Sequence, residues 1–199
     1  LYQRLVWGTP SPVADVTGLE ELEDLVKTPG FSFRVLETPG HSKDHISLFE
    51  ASRRWLFSGD TFVGGRDDAW TPESEMFGLI SSLRTFGALR PERMFPGNGN
   101  VRRTPLPEIH QKIRQLTRLT QEVRKLEAAS LTTSEIAACL FEHEPRITFW
   151  TQGHYSTANL VEACRSYNAI FSPMESFEHE DSDADFPFWD SHHQEHSSR

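Results

Sequence analysis

Two short segments constrain this chain more than any other feature. They are Thr38-Pro39-Gly40-His41 and Ser58-Gly59-Asp60-Thr61, with Asp60 nineteen residues after His41. Each follows a run with strand character, so each sets a metal-capable side chain at a strand's end. Phe31–Glu37 alternates Phe31, Phe33 and Val35 against Ser32 and Arg34, the two-residue period of a strand. His45–Ala51 alternates Ile46 and Leu48 against Ser47 and Phe49, and Arg53–Ser58 carries Trp55-Leu56-Phe57 into Gly59-Asp60. With Ala51-Ser52 as the turn, these two runs read as a hairpin. A third delivery point is Pro96-Gly97-Asn98-Gly99, which follows the short apolar run Arg93-Met94-Phe95 and presents an amide.

Helical periods fill most of the remainder. Met76, Phe77, Ile80, Leu83 and Phe86 fall on one side of a helix predicted over Glu73–Leu89. Ile109, Ile113, Leu116, Leu119, Val123 and Leu126 recur at three- and four-residue steps in a long helix from Pro107. Thr132-Thr133-Ser134-Glu135 forms a capping box ahead of Ile136–Phe141, and a further helix starts near Ser156 with Leu160, Val161, Cys164 and Tyr167. Before the strands, Leu19–Val26 reads as a short helix. The implied organisation is a sheet-bearing domain over 1–106, a helical module over 107–171 and an acidic tail over 172–199, expected to be disordered. The module's layout is compatible with a winged helix, although such packing is more often structural than DNA-reading.

The chemistry begins with His41. Gly40 permits a tight turn and Pro39 fixes the approach, so the imidazole is held where the strand ends. A neutral imidazole is a good zinc ligand. Alone, such a residue reads as a surface turn histidine; the later Gly-Asp context shifts the reading. A carboxylate at Asp60, after an apolar strand, is costly unless it caps a turn or meets a cation. Together the two match a dinuclear hydrolase, with His on one metal and a carboxylate bridging two. The metals then lower the pKa of a shared water.

Smaller bets fall on neighbouring residues. Asp44 and His45 are placed to orient a ligand, with a plain strand residue an equal alternative for His45. His110 opens the long helix and is weighed as an approach to the site against a solvated helix histidine. His154 reads as a packing or capping residue, and His192, His193 and His196 as incidental. Gly64-Gly65-Arg66-Asp67-Asp68 is expected to form a mobile loop over the site. No nucleophile elbow, Walker loop or Cys-His pairing occurs.

The run Glu37-Thr38-Pro39-Gly40-His41-Ser42-Lys43-Asp44-His45-Ile46-Ser47-Leu48, followed by Leu56-Phe57-Ser58-Gly59-Asp60-Thr61, resembles the metallo-β-lactamase superfamily. It is similar to the glyoxalase II-like and β-lactamase-like protein 2 branch, where TPGH, a (D/G)H(I/V) strand and FSGD recur in this order. The resemblance covers residues 31–165, including the appended helices. It implies an α/β (α+β) fold, the αββα sandwich, of which this chain supplies the second half. It also implies a hydrolase using up to two zinc ions, with His41 a ligand of the first and Asp60 the bridging, catalytic carboxylate. Metal-activated water would attack an ester, thioester or related bond of a small molecule. Asn98 stands where the branch has the last histidine of PGHG, and a carboxamide is a much poorer zinc ligand than imidazole. The HxHxDH half of the motif would lie upstream of Leu1. Zinc binding and hydrolysis are therefore expected to be weak or absent in this chain alone. A non-catalytic binding protein of the same fold is the alternative, followed by an RNA- or DNA-processing nuclease.

Charge bears on those alternatives. Of the formal net charge of -9, residues 1–171 carry about -2, with nineteen basic against twenty-one acidic residues. A near-neutral body argues against a nucleic-acid footprint. No apolar run is long enough to span a bilayer. Cys139 and Cys164 read as reduced core thiols, which favours a cytoplasmic setting. A half-sandwich with an exposed sheet face also invites self-association.

Overall fold

A computed structural model describes residues 8–9, 11–16, 18 and 25–171. Its sheet has five strands in sequential order: β1 (Leu25–Thr28), β2 (Phe31–Glu37), β3 (Ile46–Glu50), β4 (Trp55–Gly59) and β5 (Arg93–Pro96). The first three pairings are antiparallel and β4 pairs with β5 in parallel. Helix α1 (Met76–Leu89) crosses between β4 and β5, as a parallel pair requires. Then come α2 (Pro105–Ala128), α3 (Thr133–Leu140), α4 (Arg146–Trp150) and α5 (Thr157–Ile170).

One correction concerns the start of the sheet. Leu25 and Val26 belong to β1 rather than to a helix, while 19–24 are outside the described residues. The three- and four-residue spacing of Leu22, Leu25 and Val26 imitates a helix, but Pro29-Gly30 joins two strand runs as a two-residue hairpin loop. Gly30 supplies the positive φ of 89° that such a turn needs.

The helices cover one face of the sheet. Leu56 and Met94 from the strands join Ile80, Leu83 and Phe86 of α1, Ile109, Leu116 and Val123 of α2, and Leu160 and Cys164 of α5 in one continuous core. Helix α1 starts at Met76, where its apolar period begins and later than the predicted Glu73, with Glu75 as an extended N-cap whose carboxylate accepts from the Gly78 N–H. The α2 helix begins earlier, with Pro105 in its first turn, where a missing N–H costs nothing. The capping box on α3 forms: Thr132 Oγ1 accepts from the Glu135 N–H and the Glu135 carboxylate accepts from the Thr132 N–H.

Four helices, not three, follow the sheet among the described residues. The five residues of α4 are too few to register as a period. No hairpin follows β5 among the described residues, so the wing of a winged helix is not seen there. Both cysteines are free. Cys164 is buried and its thiol is pushed up to about 12, first by desolvation and then by Glu127. Cys139 is exposed, contrary to the expectation for it, because it falls off the face of α3 that buries Ile136 and Ala137. The acidic tail from Ser172 is outside the described residues. No helix among them is long and apolar enough to cross a membrane.

Candidate metal centre

Strand direction explains why distant residues meet. Two successive antiparallel pairings make β2 and β4 run the same way, and β5 is parallel to β4. The turns after β2, β4 and β5 therefore emerge at one edge of the sheet. They bring His41, Asp60 and Asn98 together there. His41 Nε2 is 4.0 Å from Asp60 Oδ2, with the two side chains about one-third exposed at 34% and 37%. Asn98 Nδ2 donates to the other carboxylate oxygen, Oδ1, at 2.8 Å.

Each of these positions is held from behind. The Pro39-Gly40 turn is clamped by the start of α1: Ser82 Oγ donates to the Pro39 carbonyl, Ser74 Oγ to the His41 carbonyl, and the Glu75 N–H to Gly40. Gly40 has φ 135°, and a Cβ there would run into the backbone of Leu79. At the other turn, a Cβ on Gly97 would lie 2.7 Å from Asp60 Oδ1. The Gly97 N–H reaches the Gly59 carbonyl at 2.9 Å, which ties the Asn98 turn to the Asp60 turn.

His45 lies beneath this arrangement, not in it. Its Nε2 accepts the Asp60 backbone N–H at 3.1 Å, so its proton is on Nδ1. That proton faces the hydroxyl oxygens of Thr38 at 2.9 Å and Thr61 at 3.0 Å. Thr61 in turn donates to the Thr38 carbonyl, Thr38 bonds Ser47, and Ser47 donates to the Ser58 carbonyl. The relay leaves no acceptor for a second imidazole proton. Burial, then the neighbouring His41, holds the His45 pKa below its ordinary value against the pull of Asp60 and Asp44. A neutral His45 with its Nε2 engaged fixes the Asp60 backbone. The three hydroxyls of this relay, on Thr38, Ser47 and Thr61, belong to segments the sequence singled out, but nothing local announces the bonds they make across the strands.

The remaining candidates are placed differently. Asp44 is exposed and accepts from Ser42 Oγ at 2.7 Å, a bond that lowers its pKa. His110 packs near Gly87, two turns along α1 from Leu79 and so roughly 12 Å from the His41 turn. The loop after Asp60, expected to be mobile, is anchored. The buried Lys112 ammonium donates to the Gly65 carbonyl and to Asp67 Oδ2, both at 2.7 Å, and Asp67 also accepts from Trp70 Nε1. Burial of Lys112 is tolerable only because both contacts are made. A cavity of about 300 Å³ borders Pro39, Gly40, Ser42, Lys43 and Glu75, without reaching His41, Asp60 or Asn98.

The donor set fits a metal in kind but not in number. Ligand atoms on one tetrahedral zinc with bonds near 2.1 Å sit about 3.4 Å apart. His41 and Asp60, at 4.0 Å, need only a small closure. A stable site needs three or four protein ligands. No group of three or more His, Cys, Asp or Glu able to hold a metal occurs among the described residues.

Comparison with known proteins gives these geometries a context. Residues 2–98 match the family model of the metallo-β-lactamase superfamily. The β-lactamase-like protein 2 homolog of Drosophila melanogaster is 33% identical over 96 residues, 48% of this chain and 32% of that protein. An atrochrysone carboxyl ACP thioesterase of Aspergillus fumigatus is 28% identical over 154 residues, 77% of this chain and 43% of the relative. The solved structure of a β-lactamase domain protein from Burkholderia ambifaria aligns with a TM-score of 0.58 at 22% identity, over 80% of this chain and 49% of that one, a likeness of fold. The chain spans less than half the length of each of these proteins.

Proposed function

The chain belongs to the metallo-β-lactamase superfamily, and on that premise we propose that it carries part of the active centre of a metal-dependent hydrolase of esters or thioesters. One observation carries this reading. An imidazole and a carboxylate, delivered from the ends of two different strands, stand 4.0 Å apart at a half-open edge. Backbone clamps and a relay of hydroxyls hold both in place. Such rigid support for two donors suits a shared cation. The thioesterase relative supports an acyl substrate.

A metal held by His41 and Asp60, zinc in this reading, would supply a polarised, acidified water. The chain's own residues do the positioning. His45 fixes the Asp60 backbone, Asn98 turns the Asp60 side chain, and α1 holds the His41 turn. Further ligands come from polypeptide outside the described residues. The face of the sheet opposite the helices supports this, because Trp55, Phe57, Phe95 and Phe33 form an apolar surface that no described element covers. With two donors among the described residues, the chain by itself binds metal weakly and hydrolyses little.

Calorimetric titration with zinc tests the ligand assignment. His41→Ala and Asp60→Ala should each abolish the residual binding; binding untouched by both would overturn the assignment. Thioester hydrolysis should then appear when the chain is joined to an upstream segment bearing HxHxDH. Its absence, with metal bound, would exclude the hydrolase. The Asn98–Asp60 bond favours a second reading, a non-catalytic binding protein of the same fold, because an amide occupies the carboxylate. In the joined protein, Asn98→His separates the two. A metal-dependent gain of activity marks a lapsed catalytic site, and no gain marks a binding protein.

A further inference from the structure

Beside this edge is a guanidinium that the proposed centre does not use. Arg102 follows the Asn98 turn, and its backbone is fixed by two hydrogen bonds with Met94, at 2.8 and 3.0 Å. Its side chain is only 24% exposed and comes no closer to an acid than a 3.4 Å ion pair between Nε and Glu108. Among the described residues the guanidinium donates no hydrogen bond, and its buried Nε has no partner of hydrogen-bonding geometry. Nε alone is shut off from water without a bond, while the outer nitrogens of the fork reach solvent and are free to donate to a ligand.

The surroundings show where those donors lead. The Phe62 ring lies under the guanidinium, 5.9 Å from centroid to Cζ, and steadies it. Nη2 occupies the space a side chain on Gly64 would take, and it lies 3.8 Å from where a Cβ on Gly99 would be. Gly64 is four residues past Asp60, and Gly99 adjoins Asn98, which bonds Asp60. Two side-chain-free positions therefore flank the outer end of the fork. Glu108 is the counter-charge on the opposite nitrogen; it keeps the fork oriented without saturating it.

We propose that Arg102 is an oxyanion-recognition residue that receives a negatively charged oxygen group of the substrate, a carboxylate or phosphate, beside Asp60 and Asn98. The planar fork matches such a group with two parallel N–H bonds. The inference deepens the hydrolase reading and rests on it for the word substrate, but the anion site itself can be tested without turnover.

The test is a titration of the full chain with sodium acetate and, separately, inorganic phosphate, followed by backbone amide NMR. Saturable shifts of the Gly64 and Gly99 amides are expected with at least one anion. They should be lost in Arg102→Gln and weakened in Arg102→Lys, which keeps the charge but not the fork. Preference between the two anions identifies the oxyanion. No shift at either glycine in the wild-type chain, or shifts that survive Arg102→Gln, would overturn the proposal. If Arg102→Gln does not fold, the wild-type titration and the lysine variant decide. In an active joined protein, the preference in kcat/KM for an ester carrying a free carboxylate over its methyl-capped analogue should fall about tenfold or more in Arg102→Gln. Anion binding without hydrolysis would sink the hydrolase alone; hydrolysis without that preference would sink the role of Arg102.

Discussion

The two faces of the sheet are built from the same strands and have opposite fates. On one, Phe49, Leu56 and Met94 are buried beneath helices, and even Ser47 and Ser58 are sealed from solvent. On the other, Phe57 stacks on Phe95 at 4.6 Å, Trp55 meets Phe95 edge-on, and Phe31 and Phe33 extend the patch. Phe31 and Ile46 are still 36% and 39% exposed. Strands apolar on both sides are the pattern of a sheet meant to be covered twice. The candidate centre is at the edge of this sheet, where a second layer would add ligands to the two donors already in place.

Substitutions can break this contrast, beginning with the covered face. Phe86→Ala empties a site with no solvent exposure and should cost about 3–5 kcal/mol in urea unfolding. Phe57→Ala on the uncovered face should cost less than half as much; equal losses would mean that both faces are in fact closed. Next in size is Gly40→Ala, where a φ of 135° and the Leu79 backbone oppose a side chain. It should lower stability by about 1–3 kcal/mol and weaken metal binding through His41.

Away from both faces, Thr132→Ala removes the α3 cap and should cost about 1 kcal/mol. Its pH dependence has a definite sign. Bonds from Thr132 hold the Glu135 carboxyl below its ordinary value of 4.5, so the cap's contribution is complete above that value and fades as pH falls through the lower folded one. The difference between wild type and variant should therefore narrow in acid without vanishing, because Thr132 Oγ1 still accepts from the Glu135 N–H; a constant difference down to pH 2 would refute the ionised cap.

The largest effect on association belongs to Phe57→Ser with Phe95→Ser. Sedimentation should show the wild-type chain associating and the double variant monomeric. The covered side has a chemical counterpart. At pH 8 a thiol reagent should label Cys139 and spare Cys164, whose pKa near 12 leaves almost no thiolate. Labelling of both in the folded chain would show that the helical core opens.

Much of this was legible in advance, for reasons that differ by residue. Periods of two and three to four residues place β2, β3, β4, α1, α2 and α5 to within a few positions, because each element's inward side chains repeat locally. The cap at Thr132 and Glu135 is legible for the same reason, being a bond between residues three apart. The sequence was misleading where a local pattern had two readings, as at Leu25-Val26. It was silent where a partner lay far along the chain. Lys112 reaches back to Asp67, and nothing near Gly64-Gly65 announces that anchor.

By itself, then, the sequence determined which side chains stand at strand ends: His41, Asp60 and an amide at Asn98. Only the tertiary structure decided that all three leave the same edge, that His45 turns its Nε2 to the Asp60 backbone, and that the Arg102 guanidinium comes to rest against Gly64 and Gly99. The physical reason is range. Element type depends on residues a few positions apart, whereas these encounters depend on strand order, register and burial across fifteen to sixty positions of chain.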